Sequence, residues 1–391
     1  MSHDIMLRSA LSLCMLSMFA AEVLAGPPGL AQGDPAECGL SVSRLAVIDD
    51  VVAEGLRDER MPGCVVLIGY RGRIVWLKSY GSRQVKPDAV PMTTDTVFDL
   101  ASLTKPIATA TSVMLLIEDG LVELDVPAAK YIPEFGNKGK EVITIRQLLV
   151  HQSGLLPDNS IKDYENGRAD AFRRIHELDL RAKPGTRFMY SDVGFIVLGE
   201  IVERVSGKSL DAFARDRIFK PLGMSETGFN PPADLKQRAA PTQERNGDWM
   251  RGEVHDPRAF RLGGVAGHAG LFSTAEDLAR YAQMLINKGV LGEARILEPE
   301  TCQLMQSSHE VSSGVRTLGW DRRTGYSSNR GDLFSPEAFG HGGFTGTALW
   351  IDPAQEMFVI FLSNRVHPDG NGSVNSLAGR IGTLAAAAIN D

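Results

Sequence analysis

The sequence predicts a mixed α/β fold of the α+β kind, with one antiparallel sheet built from both chain ends, flanked by helices, and a helical lobe inserted between its halves. Three observations carry that prediction. Two β-rich runs, Cys64–Tyr70 and Arg73–Tyr80, lie early in the chain. Strand character returns near the other end, at Thr347–Ile351 and Met357–Leu362. Between them, helical segments and loops dominate. The expected division is a sheet lobe of 42–119 with 309–391 and a helical lobe of 120–308, with a cleft between them where a ligand site can form.

The 391 residues, 43% apolar and 23% charged, have the composition of a folded chain. A net charge of -7 offers nucleic acid no basic footprint, and Gly 40 with Pro 20 show no collagen-like period. Residues 1–25 read as a signal peptide: Ser9–Leu24 is almost wholly apolar and Val23-Leu24-Ala25 offers a small-residue cleavage site. The competing reading, a membrane anchor, is disfavoured because the run is short for a bilayer and holds Glu22. Export to the periplasm or medium follows, with no stable membrane insertion after cleavage. Residues 26–41, rich in Pro and Gly, read as a linker. An amphipathic helix is expected over Ser43–Arg57, and Arg71-Gly72 as the hairpin turn between the first two strands.

A helical pattern runs from Ala101 to Gly120, and another from Val193 to Val205, closed by Ser206-Gly207. Ser273-Thr274-Ala275-Glu276 reads as a capping box opening a helix to Ile286. Asp352–Gln355 is the expected turn between the last strands, and a final helix covers Val374–Ile389. Cys38, Cys64 and Cys302 form no CxxC pair, so at most one disulfide and no zinc framework are expected, with Cys64 a buried hydrophobe. No cofactor or metal is called for.

Three short elements carry chemistry. A GxSxG elbow is absent. Ser102-Leu103-Thr104-Lys105 instead opens the helix after strand-like Thr96–Leu100, and the i, i+3 spacing lets the Lys105 amine reach the Ser102 hydroxyl. At a helix start, backbone N–H groups and the dipole can stabilise an oxyanion; the alternative is an ordinary surface helix start. Tyr190-Ser191-Asp192 precedes an apolar helix and is either an N-cap or a second proton carrier at the cleft. His341-Gly342-Gly343, leading through Phe344 into a strand, is either a glycine turn or a place where substrate approaches the backbone closely, with an N–H completing an oxyanion hole.

Together and in this order, the three elements resemble the SxxK, YxN and K/H-T/G-G motifs of the serine β-lactamase and penicillin-binding protein superfamily. The similar branch is that of class C β-lactamases and their esterase and D-alanyl-D-alanine peptidase relatives. Leu148–Leu155, Lys220–Met224 and Gly270–Leu278 agree with it, and the resemblance covers about Ser43–Ile389. It implies a two-lobed fold and an acyl-enzyme at Ser102, with Lys105 or Tyr190 taking the proton and the oxyanion held between the Ser102 and Phe344 N–H groups. Asp192 stands where this family usually has Asn, and His341 where true β-lactamases commonly have Lys. A histidine, with an ordinary pKa of about 6.5, holds a carboxylate only when protonated. The expected substrates are therefore a small ester or a D-amino-acid peptide; a rival from another class is a non-catalytic wall-binding protein. Gly252–His268 resembles exported esterases and carboxypeptidases of this kind, with His255, Asp256 and His268 as loop residues that either line the cleft or serve structure.

Overall fold

Strands buried on both faces set the frame of the molecule. The computed structural model describes residues 29–390, and the expected signal peptide lies outside the described residues. Gly63–Tyr70, Thr347–Asp352 and Met357–Ser363 are buried along their whole lengths. They form the middle of a nine-stranded antiparallel sheet, with Met357–Ser363 hydrogen-bonded to both of the others. Side chains alternate between two cores with a period of two. Val65, Leu67, Leu349, Ile351, Ile360 and Leu362 enter the larger core. Cys64, Val66, Ile68, Ala348, Trp350, Val359 and Phe361 enter a smaller one, shared with helices Val42–Arg57 and Asn375–Ala387. The larger core is filled by helices Ala275–Ile286, Thr111–Glu118 and Asp192–Ser206. The fold is the mixed α/β arrangement read from the sequence.

The first hairpin turns at Arg71 and Gly72, whose φ of 47° and 77° are the two positive values a tight right-twisting hairpin requires. Its second strand runs to Gln84, beyond the expected Tyr80. The described part of the segment read as a linker is docked on the sheet. Gly33 donates to the Ile74 carbonyl, Ile74 donates to that of Ala31, and Leu40 is 1% exposed.

Other departures have local causes. The stretch between the sheet halves is not only helix and loop. Phe98–Asp99, inside the strand-like Thr96–Leu100, pairs with Leu271–Ser273, which pairs in turn with Gly228–Phe229; the last two are too short to show alternation. The polar edge strands His309–Val311, Gly314–Arg316 and Asp321–Arg323 complete the main sheet on one side. Ala101–Gly120 is not one α-helix. It is a 3₁₀ turn at Ala101–Leu103, a π-helical stretch at Lys105–Ala110, and α-helix only from Thr111 to Glu118. Pro106 lacks the N–H an α-helical ladder needs, and the backbone widens around it. The expected capping box is absent. Thr274 caps the helix by accepting from Asp277 N–H, while the Ser273 hydroxyl bonds Thr227. Cys38, Cys64 and Cys302 are unpaired thiols, and Cys64 is fully buried. No helix among the described residues is long and apolar enough to cross a membrane.

Candidate active site

The turn that presents Ser102 is strained and clamped. Ala101 has a φ of 45°, a left-handed conformation that costs a residue with a Cβ on the order of 1 kcal/mol. Asp99 holds it: one carboxylate oxygen accepts Ala101 N–H at 2.8 Å and the other accepts His255 N–H at 2.7 Å. Burial pushes Asp99 up to about 6, against those two amides. Thr104 donates to the Ala101 carbonyl, and Thr347 to that of Leu100, so the strain is locked between two sheets.

Lys105 is fully buried, with its Nζ 3.0 Å from Ser102 Oγ, 3.0 Å from the His268 carbonyl and 2.7 Å from Asp192 Oδ1. Burial pushes its pKa down, but Asp192 and Tyr190 outweigh that and hold it above the ordinary lysine value. At rest it is an ammonium.

Tyr190 and Asp192 arrive together because the intervening residue caps the helix. Ser191 Oγ accepts Gly194 N–H at 3.0 Å and its own N–H donates to His151 Nδ1 at 3.1 Å. Asp192 is thereby free of capping and turns to Lys105. The Tyr190 ring lies 4.9 Å from Tyr326 at 24° and 4.4 Å from His151 at 31°. Two nearly parallel rings that close cannot share a face, so Tyr190 is sandwiched between them. Burial raises its pKa, with Lys105 pulling it back.

Strand Phe339–Gly343 carries the third element. His341 is 6% exposed, its Nδ1 bonded to the Gly342 carbonyl at 2.7 Å. Burial, then the charges of Arg316 and Lys105, push its pKa well below the ordinary histidine value. It is neutral and offers no cation to a carboxylate. The glycines line the cavity and are also required by packing. A Cβ at Gly343 would stand 2.2 Å from Thr347 Oγ1 and 2.4 Å from the Leu100 carbonyl, and one at Gly342 2.3 Å from Asn329. The strand presses directly on the Ser102 turn. Phe344 is 61% exposed, stacks on His255 at 5.5 Å and lies under the Arg365 guanidinium.

Ser102, Tyr190, His341, Gly342, Gly343 and Phe344 line one cavity of about 320 Å³, with Asp321, Tyr326, Asn329 and Arg365. Lys105 and Asp192 stand behind it. His268, at 2.9 Å from Asp256, supplies the carbonyl that holds Lys105, while Asp256 caps helix Pro257–Arg261. Ligand atoms of Asp192, Asp256 and His268 fall within 4.8 Å of one another, but the cation at this cluster is the Lys105 ammonium. Sequence reasoning did not single out Asp99, His151, Arg316, Tyr326 or Arg365. Only His151 carried a signal, inside the phrase Leu148–Leu155.

A family model described as Beta-lactamase matches residues 48–382. A protein of Escherichia coli (strain K12) named "Putative D-alanyl-D-alanine carboxypeptidase" is 32% identical, over 93% of this chain and 92% of its own. The solved structure of a class C beta-lactamase has a TM-score of 0.73 at 18% identity, over 89% of this chain and 97% of that one. EstCE1, a hydrolase with promiscuous acyltransferase activity, gives 0.70 at 23%, over 89% of this chain and 99% of that one. With a serine, a buried lysine and a tyrosine gathered at one cavity, and a family match across nearly the whole fold, the chain belongs to the beta-lactamase family of serine hydrolases.

Proposed function

We propose that this protein is an exported acyl-enzyme hydrolase of small carboxylic esters, with Ser102 as nucleophile. The observation that carries the reading is Lys105 Nζ at 3.0 Å from Ser102 Oγ in a fully buried setting. Because Asp192 keeps Lys105 protonated, Tyr190 is the group that accepts the Ser102 proton. It does so as the phenolate, which the Lys105 ammonium steadies, and becomes the neutral phenol in taking the proton. Ser102 Oγ bonds to the acyl carbon, the alcohol leaves with the proton, and water then releases the acid. Phe344 and Ser102 face the same cavity, and their N–H groups are the proposed oxyanion donors.

The preference for esters rests on Asp192. An amide side chain there would both donate and accept, and its donor would serve a substrate carbonyl; an ionised carboxylate only accepts and is engaged by Lys105. A second reading, cleavage of D-alanyl-D-alanine peptides, is favoured by the relative of that name. Asp192→Asn separates the two. It should raise kcat/KM for nitrocefin relative to p-nitrophenyl butyrate about tenfold, the worth of one hydrogen bond. An unchanged ratio removes the argument for esters. A fluorophosphonate that fails to label the wild-type protein would favour a non-catalytic wall-binding role.

A further inference from the structure

Strand Gly314–Arg316 carries a buried charge that the chemistry above does not use. Arg316 is fully buried, and none of its three side-chain nitrogens donates to a protein acceptor among the described residues. Asp321 on the next strand forms an ion pair with it at 3.6 Å, too long for a hydrogen bond. That carboxylate is instead taken up by the Thr324 and Ser327 hydroxyls. A guanidinium so poorly matched is costly to bury, and an apolar side chain of similar length would fill the space without the penalty.

Its surroundings indicate what the charge acts on. The guanidinium lies 5.5 Å from the centre of the Phe188 ring. Phe188 meets the edges of His151 and Tyr326 at 6.1 and 6.0 Å, and these are the two rings that sandwich Tyr190. Arg316, itself fully buried, therefore stands two ring contacts away from Tyr190, on the protein side of that stack. The groups facing Tyr190 are Ser102, Lys105, Asp192, His151, His341 and Tyr326, with Asp256 and His268 beyond Lys105. Both imidazoles are neutral, held so by burial and by Arg316 itself. The Lys105 charge is matched by Asp192 at 2.7 Å. Among the described residues Arg316 is a positive charge at this site with no hydrogen-bonded partner, whereas Arg365 is held by backbone carbonyls.

We propose that Arg316 is a positioning residue for acyl transfer: a fixed interior cation that favours the ionised form of Tyr190, the form able to take the Ser102 proton. The inference rests on Tyr190 being the base. Arg316→Met removes the charge and keeps the bulk; Arg316→Lys keeps the charge. The measurement is kcat/KM for p-nitrophenyl butyrate across the acidic limb of the pH profile, alongside thermal melting. In the Met variant the limb should move about one unit to higher pH, about a tenfold loss at a fixed pH on it. Its melting temperature should hold or rise, as expected when a poorly paired buried ion is replaced, and the Lys variant should keep the wild-type limb. Asp321→Asn leaves Arg316 unopposed and should move the limb to lower pH, which decides the matter if the Met variant does not fold. An unmoved limb in a folded Met variant overturns the proposal, as does an unmoved limb in Asp321→Asn if the Met variant does not fold. Fluorophosphonate labelling keeps the two readings apart. Loss of labelling in wild type sinks the acyl-enzyme itself, whereas normal labelling with an unmoved limb sinks only the role of Arg316.

Discussion

The two walls of the cleft are built on opposite principles. On the Ser102 side, Lys105, Asp99 and His268 are almost wholly buried, and the turn is tied to segments distant in sequence through Asp99, through Thr104, which accepts Leu271 N–H, and through Thr347. On the rim, Tyr326 and Phe344 are 55% and 61% exposed and held mainly by ring contacts. The first wall is over-determined, as a strained backbone requires. The second is loosely held, and there a change of side chain alters what binds without disturbing what reacts.

The strongest way to test that contrast is to delete the proposed nucleophile. Ser102→Ala should abolish turnover and covalent labelling while changing stability by no more than about 1 kcal/mol, since only a hydroxyl at a turn is lost. Labelling that persists in this variant places the nucleophile elsewhere. Next in size, Lys105→Met and Tyr190→Phe should each slow acylation more than about a hundredfold, and the double variant should lose far less than the product because the pair acts as one unit. Lys105→Met also strands the Asp192 carboxylate, so its melting temperature should fall where that of Tyr190→Phe barely moves.

The clamp can be read from its pH dependence. Asp99 is 3% exposed, and burial lifts it to about 6 from an ordinary 3.8. In that window the folded state holds a proton the unfolded chain has released, so the Asp99 contribution to stability falls as pH rises from about 4 to about 6 and is level above. The difference in unfolding free energy between wild type and Asp99→Asn should therefore drop by an amount on the order of 3 kcal/mol across the window. A flat difference curve would show that the carboxylate is not held as described. The smallest effect belongs to the rim. Tyr326→Ala should shift KM among p-nitrophenyl esters of different chain length by a few-fold and leave kcat nearly unchanged, the pattern of a lost ground-state contact. A large fall in kcat would show that the stack on Tyr190 is part of the chemistry.

What the sequence revealed follows the same division. The central strands were legible because burial on both faces leaves a continuous apolar run, as in Cys64–Ile68 and Met357–Leu362. Two-residue strands such as Gly228–Phe229 and the polar edge strand Gly314–Arg316 are too short or too hydrophilic to announce themselves, whereas Phe98–Asp99 falls inside the strand-like Thr96–Leu100. Ser102 and Lys105 were legible as a spacing. The His268 carbonyl that fixes Lys105 was not legible, since any residue presents a carbonyl and only the tertiary fold brings it there. The paired glycines 342 and 343 line the cavity, as the close-approach reading expected, and the tight packing of Leu100, Thr347 and Asn329 against them was not legible.

The strand pairing at the centre of the sheet has a consequence for how the molecule comes into being. Gly63–Tyr70 must wait for Met357–Ser363 along its whole length, and Leu40 for Ile389. A chain emerging in order therefore carries its earliest apolar strand unmatched on one edge until almost the last residues appear. Closing a loop of that span is slow, and the waiting edge is a template for the wrong partner. Because Leu40 and Ile389 lie side by side, joining the chain there and opening it at an exposed loop would bring those two strands close in sequence. Such a permuted protein should refold faster, with the same site at the end.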